Sequence, residues 1–67
     1  MTKSFITENA TVYYLNRECV DEPVRVATVE AVYPDENCVD LVDEVLGDVT
    51  VDVDDVFETE TDASAAL

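Results

Sequence analysis

Residues 38–53 read CVDLVDEVLGDVTVDV, and their spacing decides the fold class. In the second half, Val49, Val51 and Val53 take one parity while Asp48, Thr50, Asp52 and Asp54 take the other. Successive side chains of a strand point to opposite faces, so this period of two describes a strand with one apolar and one acidic face. Gly47, the one glycine in the chain, accepts a positive φ at little steric cost. With Leu46 it marks a tight hairpin between strands expected at 38–45 and 48–53. Val39, Val42, Val45 and Leu46 also fit helical spacing, but β-branching and the neighbouring glycine favour the strand.

Upstream, Pro34-Asp35-Glu36-Asn37 is a turn signal, with proline suited to the second position of a type I turn. Ahead of it lies VRVATVEAVY, residues 24–33, in which Ala27, Val29, Ala31 and Tyr33 stand on the opposite parity from Val24 and Val26. A strand this long that changes its apolar parity is expected to bend or bulge near its middle. Residues 11–15, TVYYL, read as a first strand, and the acidic segment 16–22, closed by Pro23, reads as a loop. Downstream, Asp54-Asp55-Val56-Phe57 fits one 3₁₀ turn leading into a short closing strand at 56–59. The end, ETDASAAL at 60–67, is small and polar and is expected to fray. Of the thirteen valines, all but Val20 fall in these short runs, as a pleated sheet favours. The expectation is an all-β chain: an N-terminal arm at 1–9, a five-stranded antiparallel small barrel at 10–59, and a disordered acidic tail at 60–67.

Five short strands, a polar loop after the first, a long bent second strand, two tight hairpins and a turn before the last strand resemble an SH3-like small barrel. TVYYL, VRVATVEAVY, PDEN, LGDVTVDV and DDVF carry the resemblance. It implies a recognition module without fixing a ligand, since fold does not determine function. The proline-peptide grooves of SH3 domains are lined with aromatics including a tryptophan. This chain has none, so Tyr13, Tyr14 and Tyr33 are the only tyrosines available for an aromatic surface, and PxxP recognition is not expected.

Composition narrows the function classes. Hydrophobic residues form 48% of the 67, enough to expect a folded core despite a net charge of −14. Residues 1–34 hold five acids against Lys3, Arg17 and Arg25, a balance of −2, whereas residues 35–67 hold twelve acids and no base, a balance of −12. A field of that sign repels nucleic acid and anionic membrane and attracts basic partners. No run approaches the roughly 18 apolar residues of a membrane span, and the N-terminus lacks the apolar stretch of an export signal, so a cytoplasmic setting is expected. Cys19 and Cys38 are then expected as reduced thiols, a disulfide being favoured only in an oxidising compartment. Asn9-Ala10-Thr11 fits a glycosylation sequon, which has no use without export.

The inventory for catalysis is thin. There is no histidine, and Ser4 and Ser64 stand near the chain ends. Neighbouring acids would raise a cysteine's pKa and make it a poorer nucleophile. No enzyme activity and no cofactor are expected. Asp52-x-Asp54-Asp55 is the nearest match to a calcium loop, but it lacks the glycine and distal glutamate of an EF-hand, so no metal site is expected. What stands out is the acidic parity itself: Asp48, Asp52 and Asp54 on one strand, widened by Asp40, Asp43, Glu44 and Asp55. Same-face positions repeat every 6.6 to 6.8 Å or so, on the order of two 3.4 Å phosphate steps along one strand of B-DNA. These seven residues are the candidate partner-binding set. The leading expectation is a monomer or small homo-oligomer whose acidic face engages a basic protein surface by imitating a nucleic-acid backbone, as a viral inhibitor of a DNA- or RNA-binding host protein would. Two other readings fit the same residues: a small structural or virion assembly component, and a halophilic SH3-like interaction domain with an unrelated ligand, acidic throughout for solubility in salt.

Overall fold

The valine runs become strands where the alternation demands it. In the computed structural model, which describes residues 4–16 and 18–67, β1 is Thr11–Leu15, β2 Val24–Tyr33, β3 Cys38–Asp43, β4 Gly47–Asp52 and β5 Val56–Phe57. Residues 1–3 of the expected arm, and Arg17, lie outside the described residues. All pairings are antiparallel, in the order β4-β3-β2-β1-β5. This is a five-stranded all-β fold with one short helix, with the 3₁₀ turn Val53–Asp55 leading into β5.

β2 bulges near its middle as expected, but Ala31 and Tyr33, expected on the side of Ala27 and Val29, pair with Asp40 and Cys38 on the other face. Its register against β3 shifts between Val29 and Ala31, so Glu30 is bulged out. Before the bulge Ala27 and Val29 point inward; after it the inward residue is Val32, paired with the buried Val39. One long strand thereby lines the core at both ends of a curved sheet. The core gathers Ile6, Val12, Tyr14, Ala27, Val29, Val39, Leu41, Val53 and Val56. Burial of these side chains contributes about 1.5 to 3 kcal/mol for each large aliphatic, against the cost of ordering the chain. The described part of the expected arm runs against this core: Ile6 belongs to it, and the Asn9 N–H donates to the Val29 carbonyl at 2.9 Å.

Several boundaries differ from the sequence expectation, and β4 runs one residue earlier than the 48–53 expected. The third strand stops at Asp43, not at 45, because an Asp43 carboxylate oxygen accepts the Val45 and Leu46 N–H groups at 2.8 and 3.1 Å and folds the chain back. Glu44, Val45 and Leu46 therefore form a three-residue loop, closed by Gly47 at φ +82°. The fifth strand spans only Val56–Phe57, because the segment expected to fray is a helix, α1, at Glu60–Ala65. Thr59 caps it by accepting the Asp62 N–H at 3.1 Å, and Glu60 and Asp62 suit the positive end of the helix dipole. Ala63 is fully buried where α1 lies against β1, β5 and β2. Among the described residues no helix is long and apolar enough to cross a membrane.

Candidate functional site

Two groups of charged side chains emerge, one on each side of the sheet. On the inner side, alternation places Arg25 of β2 with Ala27 and Val29, and Asp43 of β3 with Val39 and Leu41. Asp43 is 2% exposed and takes five hydrogen bonds. The Arg25 guanidinium donates two in a fork, Nε to Oδ2 at 3.0 Å and Nη2 to Oδ1 at 3.1 Å. The Tyr14 hydroxyl donates a third at 2.7 Å, and the hairpin loop supplies the rest. Arg25 also pairs with Glu22 at the surface, at 2.9 Å.

This cluster is satisfied throughout: no buried side-chain polar atom among the described residues lacks a partner. The Arg25 hydrogen bonds hold the Asp43 carboxyl well below the usual carboxylate range, outweighing the burial that opposes them, with Tyr14 and the loop amides assisting. Burial, then the Asp43 hydrogen bond and charge, push the Tyr14 phenol up to about 12. Asp43 thus pins β3, β2, β1 and the β3–β4 loop together. It was expected on the acidic docking face and is instead a buried anchor, because it shares the inward parity of Val39 and Leu41.

On the outer side, the β3–β4 register sets Cys38 opposite Asp52, Asp40 opposite Thr50, and Val42 opposite Asp48. Asp40, Asp48 and Asp52 therefore share one face. Asp40 is fixed on it by the Thr50 hydroxyl, donating at 2.6 Å, and the Tyr33 hydroxyl, donating at 3.1 Å. The Cys38 thiol contacts Glu36 at 3.7 Å. Two neutral acids on this face register its field. The Tyr33 phenol is raised by its hydrogen bond to Asp40, then by the charge of Asp40 and by burial, with Cys38 and Glu30 adding least. The Cys38 thiol is raised by burial and by Glu36, Asp40 and Asp52.

The other candidates fall elsewhere. Asp54 lies in the 3₁₀ turn, since β4 ends at Asp52, so the row Asp48, Asp52, Asp54 expected along one strand is not formed. Asp40, reaching across from β3 beside Thr50, fills the middle position that the row lacks. Asp55 is half-buried in the same turn, and Glu44 is exposed in the hairpin loop at the far end of β3. Of the seven, the structure brings together Asp40, Asp48 and Asp52, with Asp54 exposed just past the end of β4. Glu30 and Glu36 join the face without having been expected there. Cys19 and Cys38 are free thiols. Among the described residues no three carboxylate or thiol side chains converge to hold a metal ion. No protein-family model, curated protein or solved structure matches the chain.

Proposed function

We propose that the chain is a non-catalytic binding protein whose outer β3–β4 face engages a basic protein surface, of the kind that otherwise binds a nucleic-acid backbone. One observation carries this reading. Asp40, Asp48 and Asp52 share a face bordered by Glu30 and Glu36, while Arg25, the one base among the described residues, is committed to Asp43 and Glu22. The face therefore presents charge of one sign without a counter-ion from the described chain. Such a field speeds encounter with a cationic surface and selects against polyanions.

The hydroxyl contacts of Thr50 and Tyr33 support the reading, because they hold the central carboxylate in one orientation before any partner arrives, which reduces the ordering cost of binding. The test is capture of a partner from the native lysate at low salt, by the wild-type chain and by a variant carrying Asp48→Lys, Asp52→Lys and Asp54→Lys. All three positions are exposed, so the variant is expected to fold. The reading requires that wild type retain a basic protein, that duplex DNA release it, and that the variant lose it. Equal retention by the variant overturns it.

A further inference from the structure

β4 is the one strand of more than two residues that has a neighbour on a single side among the described residues: it pairs with β3 and ends the sheet. The opposite edge, β5, is only two residues long, with α1 packed beside it. An open edge presents unpaired backbone N–H and C=O groups, ready to accept another strand. Beside this edge the inner face is incompletely closed. Val49 and Val51 face inward, opposite Leu41 and Val39, yet remain only half-buried. With Thr50, Asn16 and Glu18 they line an open groove of about 360 Å³ between β4 and the end of β1 at Tyr14 and Leu15.

We infer that the β4 edge accepts an extended segment of a partner protein in which aliphatic residues alternate with lysine or arginine. The inference rests on the docking face proposed above and names the form its partner takes. A strand laid along β4 sends alternate side chains to opposite faces. Inward ones cover Val49 and Val51 on the β4 side of the groove; outward ones stand across from Asp48, Thr50 and Asp52. Opposite charges facing one another across a strand pair are favourable, and backbone hydrogen bonds supply the remaining affinity. A second copy of this chain fits poorly. Pairing β4 with itself about Thr50 sets Asp48 opposite Asp52 of the second copy, a like-charge contact at each end of the ladder.

The probes are two end-capped peptides of about nine residues, a length matched to a typical edge strand. Both contain only lysine and valine, one strictly alternating and the other with its valines and lysines in separate blocks. At low salt the alternating peptide is expected to bind on the order of tenfold or more tightly than the block peptide. Amide hydrogen exchange should slow in Gly47–Asp52 on binding. Equal affinity for the two, or slowed exchange that omits β4, overturns the strand-pairing inference. If that binding is also lost in the Asp48→Lys, Asp52→Lys variant, the acidic-face reading survives the failure. Binding of neither peptide overturns the inference, as does a dimer of the chain alone with β4 protected, which would show a second copy on the edge.

Discussion

Asp43 shows how one side chain decides what a charge is for. An aspartate in an acidic protein would ordinarily be solvated, but this one is oriented inward by β3 and meets the single fork of Arg25. A buried ion pair is no guarantee of stability; removing one partner is what costs, since the other is left without compensation. Asp43→Asn keeps the shape and loses the charge, and is expected to destabilise the fold by about 2 kcal/mol or more. The pH dependence follows from the direction of the shift. Because the folded carboxyl titrates below its unfolded value, its contribution is present above about pH 4 and fades as pH falls through the folded value. The stability gap between wild type and Asp43→Asn in thermal melts should therefore be constant near neutrality and close on acidification; a gap unchanged down to about pH 2 contradicts this role. The signal for the cluster was present in the sequence. Asp43 continues the parity of Val39 and Leu41, as Arg25 continues that of Ala27 and Val29. What alternation does not state is whether a charge on the apolar parity has a partner, and that requires the sheet order.

At the scale of elements, strands were legible and ends were not. β1 and β2 run over the residues expected of them, and the expected mid-strand bulge forms at Glu30, beyond the parity change at Val26–Ala27, so that Val32 and not Ala31 or Tyr33 turns inward. Boundaries shifted where a side chain bonds the backbone, as Asp43 does at the β3–β4 loop and Thr59 at the start of α1. The helix replaced an expected frayed tail, although Thr59-x-x-Asp62 is a capping signature ahead of an alanine-rich run. Its small size hid it: six residues form no stable helix alone, and α1 persists by burying Ala63 on the sheet. Removing the cap with Thr59→Ala should cost about 1 kcal/mol. Faster amide exchange confined to α1 and β5 would mark the loss as local, whereas unchanged exchange in α1 would show that the cap does not hold it.

For the whole molecule the governing quantity is the separation of charge. Packing tolerates the net charge of −14: the Cα radius of gyration is 10.7 Å, against about 10.9 Å for a compact chain of this length. Among the acids of β3 and β4, strand parity separates one buried anchor, Asp43, from Asp40, Asp48 and Asp52 on the outer face, a division that total charge cannot express. On this reading the outer face, and no other surface, meets a basic partner. The most direct test is amide chemical-shift mapping of the labelled chain titrated with the basic protein captured from lysate, at low and at raised salt. Shifts centred on Asp40, Val42, Asp48, Thr50 and Asp52, and collapsing as salt screens the contact, are the predicted result. Shifts centred instead on α1 and β5, or persisting undiminished in high salt, would contradict it.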